Sequence, residues 1–327
     1  MKQFLSVSLA LLMSLGLLAG CGGSGGSGSA AGETAALTFT TGGSQGTYYG
    51  FGSALARYVS ANTGVQIAAV ESGGSAANVK AVAGGEAELG FVQSDVLAYA
   101  CEGTRLFENG AVDGVSVAAA LYMEQVQIVT TDPNIRSVAD LRGKNVSIGA
   151  AGSGVYFNAI DVLAAYGLRE TDINATYQNF GDSADALQDG RIDAAFVVSG
   201  APTAAITVLA NVKDVYLVSL DEEHVDRLID ASPYYTRHVI PAGTYAGLDS
   251  DVSTVAVAAV LAVSDGVSED AVYQTVSAIF ENAAEIARQY PKGSELDVEF
   301  AASMTSAPYH PGAARYFAEK GIAVPAG

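Results

Sequence analysis

The chain has 327 residues, of which 50% are hydrophobic and only 16% are charged, so a disordered or coiled-coil protein is excluded. Its 16 Lys and Arg against 35 Asp and Glu give a formal net charge of −19, which argues against DNA or RNA binding. The length corresponds to about two domains. Two cysteines and three histidines, none of them clustered, predict neither a metal site nor a disulfide scaffold.

The N-terminus has the pattern of a lipoprotein signal peptide. An apolar run at 4–20 follows Lys2, and it is shorter than the roughly 20 residues that span a bilayer. It ends in Leu-Ala-Gly before Cys21, which resembles a bacterial lipobox. We therefore predict a signal peptide at 1–20, lipidation of Cys21 and a Gly/Ser tether within 21–36. An uncleaved anchor, or an ordinary signal peptide with an incidental cysteine, is the alternative.

Beyond the tether, the hydrophobic pattern predicts an α/β fold built from two lobes. Strand and helix patterns alternate twice as β-α-β-α-β, which predicts a parallel sheet with helices on its faces in each lobe. A long helix is predicted from 269 to about 289, and a last helix from about 313 to 321. The predicted strands are 37–41, 66–70, 89–93, 115–121, 125–130, 145–149, 176–179, 193–198 and 253–263.

A repeated motif supports the two similar lobes. GGEAELGFVQS at 84–94 and DGRIDAAFVVS at 189–199 match at a constant offset of 105. The C-terminal helices have no sheet of their own, so we predict that 37–122 and 254–327 form lobe 1 and that 123–253 form lobe 2. Two crossings between the lobes, near 122–125 and 243–254, make a hinge beside a cleft. The matching positions are Gly85, Glu88, Phe91 and Ser94 against Gly190, Asp193, Phe196 and Ser199.

Three glycine-rich loops, GGSQGT at 42–47, GGS at 73–75 and GSG at 152–154, each join a predicted strand to a helix. N–H groups at a helix start carry partial positive charge and suit anions, although a tight turn alone also requires glycine. A hydrogen bond to a charged group contributes about 1.5–3 kcal/mol, and micromolar binding needs about 8 kcal/mol. Several such bonds therefore predict a small-anion site without Arg or Lys.

Side chains near these loops are candidates for the cleft. Gln93 and Ser94 end a predicted strand and so should face the crevice. Asn78 lies three residues after Ser75 on the same helix face, where a solvated side chain is the alternative. Of the adjacent Tyr48 and Tyr49, we expect one to line the cleft and the other to pack.

One motif favours an enzyme. GGSQG at 42–46 matches the G-x-S-x-G nucleophile elbow, with Ser44 as the nucleophile. Only one strand precedes it, whereas an α/β-hydrolase needs several, and no histidine has an evident catalytic context. The segment 152–157 lacks the third glycine of a dinucleotide-binding fingerprint. We therefore predict no catalytic residue, no cofactor and no metal.

Several stretches together resemble one family. They are TTGGSQGTYYGFG at 40–52, ESGGSAANVKAV at 71–82, GEAELGFVQSDVLAYA at 85–100, SVADLRGKNVSIGAAGSGV at 137–155 and DGRIDAAFVVSGAPTAAI at 189–206. With them the chain resembles the TAXI-type solute-binding subunits of TRAP transporters, over nearly all of its length after the tether.

The resemblance implies a two-lobed type II periplasmic-binding-protein fold (Venus flytrap), with a mostly parallel sheet and flanking helices in each lobe. We expect a monomeric, extracytoplasmic protein, and the lipobox-like sequence at Cys21 predicts that it is lipid-anchored to the outer face of the cell membrane. Such a protein captures a small carboxylate, glutamate-like or a C5 dicarboxylate, by lobe closure and delivers it to an ion-gradient-driven TRAP permease. The alternatives are a ligand-sensing lipoprotein without transport and a secreted serine hydrolase.

The resemblance also carries ligand contacts over to this sequence. Val155 stands where the family's G-S-G-T has threonine, which removes a hydroxyl group from the predicted anion loop. Met123 stands where the family's L-Y-P-E has proline, at the first predicted crossing. The full set of predicted ligand-binding residues is Thr47, Tyr48, Tyr49, Gly74, Ser75, Asn78, Gln93, Ser94, Ser153, Gly154 and Val155.

Overall fold

Ten strands of the described chain form one mixed sheet with flanking helices. The computed structural model describes residues 35–327, so the predicted signal peptide, Cys21 and nearly all of the tether lie outside the described residues. The strands are β1 (Ala35–Thr40), β2 (Val65–Val70), β3 (Leu89–Gln93), β4 (Val115–Thr130), β5 (Asn145–Ser147), β6 (Asn174–Thr176), β7 (Ala194–Ser199), β8 (Tyr216–Leu217), β9 (Thr236–Ile240) and β10 (Val252–Ser264).

Eleven α-helices are found in residues 35–327. None of them combines the length and the apolar character that a membrane-crossing helix needs. They are α1 (Thr47–Asn62), α2 (Ser75–Ala83), α3 (Ser94–Glu102), α4 (Val155–Ala165), α5 (Phe180–Gln188), α6 (Ala204–Ala210), α7 (Glu222–Ala231), α8 (Glu269–Glu281), α9 (Ala283–Gln289), α10 (Val298–Ala301) and α11 (Pro311–Glu319).

The two longest strands, β4 and β10, lie side by side at the centre of the sheet. The strand order is β2-β1-β3-β10-β4-β7-β5-β6, with β8 paired to β4 and β9 paired to β10. The outer strands pair in parallel, whereas β4 and β10 run antiparallel to each other and to the strands beside them. The predicted α/β class is confirmed, and the central pair makes the sheet mixed rather than mostly parallel.

The first crossing differs from the prediction. The predicted strands 115–121 and 125–130 are one continuous strand, β4, because residues 123–125 pair with residues 256–258 of β10. The strand predicted at 253–263 is confirmed as β10. The helix predicted at 269–289 is divided at Asn282 into α8 and α9, and Asn282 Nδ2 donates to the carbonyl of Ala278.

The two copies of the repeated motif adopt the same local structure. Glu88, just before β3, accepts the backbone N–H of Thr38 in β1 at 2.6 Å. Asp193, just before β7, accepts the backbone N–H of Asn145 in β5 at 2.7 Å. In both copies a carboxylate therefore binds the neighbouring parallel strand at the same point.

The apolar interior is divided into separate cores. One core gathers β1, β3, α1, α2, α3, α8 and α11 around the start of β4 and the end of β10, and we call these elements the first half. Two further cores gather β5, β7, α4, α5, α6 and α7 around the end of β4 and the start of β10, and we call these the second half. The lobe boundaries at 37–122 with 254–327, and at 123–253, remain a prediction.

Candidate ligand-binding site

A cavity of about 290 Å³ lies between the two halves. Small-molecule sites typically occupy about 300–1,000 Å³, so a cavity of this size suits a small solute. The first half contributes residues 42–46 and 71–75, with Tyr48 and Gln93. The second half contributes Ala150, Ser153, Gly154, Val155, Asn179, Phe180, Gly181 and Val198.

Four helices, α1, α2, α4 and α5, begin at this cavity. The N-cap residues of the first three are Gly46, Gly74 and Gly154, which have no side chain that could cap these helices. The N–H of Thr47, the first residue of α1, donates to Ser199 Oγ at 3.3 Å. In α5, Asn179 Oδ1 accepts the N–H of Asp182. Since N–H groups in the first turn have no partner within their helix, these helix starts bring the positive ends of peptide dipoles to the cavity.

Some groups at these helix starts join the two halves. The N–H groups of Ala76 and Ala77 in α2 donate to the carbonyl oxygen of Gly152 at 3.0 and 3.1 Å. Thr47 Oγ1 at the start of α1 donates to the carbonyl of Gly200 at 2.9 Å. A Cβ atom at Gly74, where φ is +102°, would lie only 3.3 Å from Ser153 Cα. Glycine therefore permits the close approach here.

The charge of the cavity wall comes from peptide groups rather than from cations. Among the described residues that line it there is no Lys, Arg or His, and Glu71 is the single charged side chain. Within residues 35–327 no group of three or more His, Cys, Asp or Glu is arranged to hold a metal ion. The helix starts are thus the source of positive potential that lies in the wall itself.

The structure brings seven of the eleven predicted site residues into the cavity wall. Of the tyrosine pair, Tyr48 lines the wall and stacks on Phe91 with ring centroids 4.6 Å apart, whereas Tyr49 does not line it. That these residues bind a ligand stays a prediction. The seven are Tyr48, Gly74, Ser75, Gln93, Ser153, Gly154 and Val155.

Three other predicted residues, Thr47, Asn78 and Ser94, are buried and do not line the cavity. The solvated alternative for Asn78 is wrong, because its Nδ2 donates to the carbonyls of Thr41 and Phe91, both at 2.7 Å. Ser94 Oγ accepts the N–H of an alanine in β10 at 3.2 Å. In this structure both side chains hold elements of the first half together.

Sequence reasoning missed part of the wall. Gln45, Glu71, Asn179 and Phe180 line the cavity but were not selected as ligand-binding residues. The prediction placed a strand at 176–179, whereas β6 ends at Thr176 and Asn179 caps α5. An asparagine followed three residues later by an acid was an available N-cap signal.

Gln93 is fixed in the wall by side chains from both halves. Its backbone N–H donates to Ser75 Oγ at 3.1 Å, and its Nε2 donates to Asn158 Oδ1 on α4 at 2.8 Å. A Cβ atom added to Gly154 would lie 1.3 Å from Gln93 Oε1. Glycine at 154 is therefore required for this arrangement of the Gln93 side chain.

A buried carboxyl group lies behind Tyr48. The Tyr48 hydroxyl donates to Glu124 Oε2 at 2.6 Å, and Glu124 is only 2% exposed. Burial raises the pKa of Glu124 to about 8; Asp95 adds to the rise, and the hydrogen bond from Tyr48 opposes it. Burial also raises the pKa of Asp95 to about 6. Glu124 is thus mainly protonated at neutral pH, which limits the negative charge near the cavity.

The hydrolase alternative gains no support from the geometry. Ser44 lines the cavity, but none of the three histidines does. A serine nucleophile needs an adjacent base within hydrogen-bond reach. Each histidine is bonded elsewhere, in the pairs His224 with Asp221, His238 with Gln125, and His310 with the carbonyl of Val267.

Comparison with protein families gives one match that covers most of the chain. The model described as NMT1-like family matches residues 39–321. The chain belongs to the NMT1-like family. With the strand order, in which β10 lies between β3 and β4, the type II periplasmic-binding-protein fold implied by the sequence resemblance is confirmed.

Solved structures similar to this NMT1-like protein include a protein of Bordetella bronchiseptica RB50, 16% identical, with 88% of this chain and 98% of that chain covered and a TM-score of 0.54. The alkanesulfonate-binding protein SsuA of Xanthomonas axonopodis pv. citri, bound to MOPS, is 18% identical, with 82% of each chain covered and a TM-score of 0.48. The GluR0 ligand-binding core with L-glutamate is 14% identical, with 81% and 100% covered and a TM-score of 0.49. Similarity at this level of identity does not identify a ligand.

Substituting Gly154 tests the packing of the wall. Gly154→Ala should displace the Gln93 side chain from Asn158 and lower the free energy of unfolding by about 1–3 kcal/mol, measured by urea denaturation. Gly43→Ala is the matched control, because a Cβ atom there meets nothing within 4 Å, and its stability should change by less than about 0.5 kcal/mol. Equal stability of the two variants would contradict the close contact between Gly154 and Gln93.

Glu124 should make stability depend on pH. Burial raises the folded-state pKa of Glu124 from its ordinary value of 4.5 to about 8, so the stabilising contribution of its protonated form is complete below pH 4.5 and is lost as pH rises through 8. One such group lowers the free energy of unfolding by up to about 1.4 kcal/mol per pH unit. Glu124→Gln retains an acceptor for Tyr48 but cannot titrate. The free energy of unfolding, measured by urea denaturation between pH 5 and 8, should therefore change less with pH in this variant than in the wild type.

The exposed Glu86 provides the control for this pH experiment, since Glu86→Gln also removes one carboxylate. We expect Glu86→Gln to keep the wild-type slope. If Glu124→Gln also kept it, the buried carboxyl would not be the source of the pH dependence.

Proposed function

We propose that this protein is an extracytoplasmic solute-binding lipoprotein, of the TAXI type, that captures a small carboxylate and delivers it to a TRAP permease. The observation that carries the proposal is the cavity between the two halves, at which four helices begin and which is lined by no basic side chain of the described residues. Helix starts of this kind bind anions through backbone N–H groups.

The overall charge requires the attraction to be local. With a formal net charge of −19, the protein repels anions at a distance, so the whole-molecule field does not steer them to the cleft. At short range, hydrogen bonds from peptide N–H groups to a carboxylate contribute about 1.5–3 kcal/mol each. The protonated form of Glu124 removes one negative charge from beside this site.

The proposed solute is glutamate-like or a C5 dicarboxylate. The cavity of about 290 Å³ has room for such a molecule, with helix starts available from each half. We propose that the lobes at 37–122 with 254–327, and at 123–253, close on it. The hinge would then lie where β4 and β10 pass from one apolar core to the other.

The proposed anchor comes from the lipobox-like sequence that ends at Cys21. A diacylglycerol on this cysteine, with a further acyl chain, would hold the protein stably at a membrane, since one chain alone binds only reversibly. The Gly/Ser-rich stretch 22–32 would act as a flexible tether of roughly 17–20 Å. The binding body would thus work close to its permease.

Calorimetry with a panel of small acids tests the carboxylate proposal. Titration of the protein with glutamate, 2-oxoglutarate and glutarate should show at least one ligand with a Kd in the micromolar range or below, which corresponds to about −8 kcal/mol. Glu71→Gln removes the charged lining side chain and should tighten binding of 2-oxoglutarate by about two- to five-fold, because a nearby like charge is lost.

Glu86→Gln is the control for the Glu71 variant, because it removes an exposed carboxylate that does not line the cavity. It should leave the affinity unchanged. Weaker binding of glutamate, but not of 2-oxoglutarate, by Glu71→Gln would show that Glu71 holds the ammonium group of the ligand. Failure of all three acids to bind would reject a glutamate-like or C5-dicarboxylate solute.

The lipid anchor has its own test. In bacteria fed radioactive palmitate, the full-length chain should be labelled and should fractionate with membranes. Cys21→Ser should lose both the label and the membrane association, because the acceptor thiol is gone. Cys101→Ser is the matched control and should retain both. Membrane-bound and labelled Cys21→Ser would reject this site of lipidation.

A further inference from the structure

We propose that Arg105 and Asp161 form a latch that links the contact between the two halves to the wall of the cavity. The proposal deepens the function of solute capture and rests on it for its biological meaning, but its structural content is independent of any ligand. The latch would help to keep the two halves together. Neither Arg105 nor Asp161 lines the cavity.

A continuous series of polar contacts leads from the latch to the cavity. Arg105 Nη2 donates to Asp161 Oδ1 at 2.9 Å, and Asp161 Oδ2 accepts the Tyr235 hydroxyl at 3.0 Å. The Tyr235 oxygen in turn accepts a bond from Asn158 Nδ2 at 2.9 Å. Asn158 Oδ1 accepts Nε2 of Gln93, which lines the cavity, at 2.8 Å.

This series passes between the halves twice. Arg105 begins a short 3₁₀ helix after α3, and Phe107 at its end is buried in the core of the first half. Asp161 and Asn158 lie on α4 of the second half, one helical turn apart. Gln93 returns the series to the first half. Separation of the halves would therefore break the outer ion pair and the inner amide contact together.

The inner part of the series is shielded from water. Asn158 is fully buried, and its Nδ2 also donates to Asp95 Oδ2, in the first half, at 2.9 Å. At the outer end the Arg105 guanidinium lies 5.0 Å from the ring centroid of Tyr99. A buried polar network is destabilising if only some of its groups have hydrogen-bond partners, so its hydrogen bonds are expected to form and break together.

The backbone at Arg105 is consistent with a residue held in place by its contacts. Among residues 35–327, Arg105 is the one non-glycine residue with positive φ, at +56°. This left-handed conformation costs about 1 kcal/mol or more for a side chain with a Cβ atom, and it persists where surrounding interactions fix it. Loss of the pair with Asp161 would remove one of those interactions.

Two backbone amides report on separation of the halves without a ligand. The N–H groups of Ala76 and Ala77 donate to the carbonyl of Gly152 in the opposite half, so separation exposes them to solvent. Hydrogen–deuterium exchange of the full chain, followed by mass spectrometry, measures them directly. In Arg105→Gln their exchange should be about two- to five-fold faster, the effect expected from loss of a partly exposed ion pair. Asp161→Asn should give the same change.

Arg142→Gln is the matched control. Arg142 Nη1 pairs with Asp172 Oδ1 at 3.0 Å, and both residues belong to the segment between β4 and β6, so this pair does not join the halves. Exchange at Ala76 and Ala77 should remain at the wild-type rate in this variant, and amides inside β4 should be unaffected in all three.

Unchanged exchange at Ala76 and Ala77 in both latch variants overturns the proposal. So does an equal increase in Arg142→Gln, or an increase that extends through β4, since either would reflect general destabilisation. Because no solute is present, a negative exchange result leaves the calorimetric test of carboxylate binding untouched, and the reverse also holds.

Discussion

Peptide N–H groups at glycine-capped helix starts are the interaction on which the candidate site depends. The protein carries about twice as many acidic as basic residues, and within 35–327 no Lys, Arg or His lines the cavity. Gly46, Gly74 and Gly154 provide no side-chain caps, so the positive ends of three helix dipoles lie at the cavity. Some first-turn N–H groups, those of Thr47, Ala76 and Ala77, bond across to the second half. The same glycines let the halves approach closely enough for peptide groups to bond across the cleft.

Much of the fold could be predicted from the sequence because its signals are local. Apolar runs separated by glycine-rich turns mark the alternating strands and helices, and the repeated motif marks equivalent positions in the two halves. The continuous course of β4 could not be read in this way. Residues 122–124 were predicted as a break between two strands, since Glu124 interrupts the apolar run, and they extend the strand only because β10 pairs with them. Strand extent here is decided by a partner more than 100 residues away.

In the candidate site, too, local features could be predicted from the sequence and long-range contacts could not. Loop residues such as Ser75 and Ser153 could be selected because a glycine-rich turn after a strand is visible in a short window. The bond between Tyr48 and Glu124, and that between Gln93 and Asn158, join residues 76 and 65 positions apart. The burial that raises the pKa of Glu124 likewise arises only when the chain is folded. No local pattern encodes these contacts, so the polar network behind the wall was not predicted.

The matching bonds of Glu88 and Asp193 have a consequence for the shape of the ligand. In each half, the strand that donates to the carboxylate is the first of a β-α-β-α-β unit, β1 in one and β5 in the other. By position in these units, α1 corresponds to α4 and α2 corresponds to α5. The four helices at the cavity are therefore two copies of one pair that face each other. The two copies differ in their donors, because Asn179 caps α5 whereas glycine precedes its counterpart α2, so the two ends of a bound molecule would meet different surroundings. A solute with two different ends would then correspond to sequence differences between the two pairs of helices.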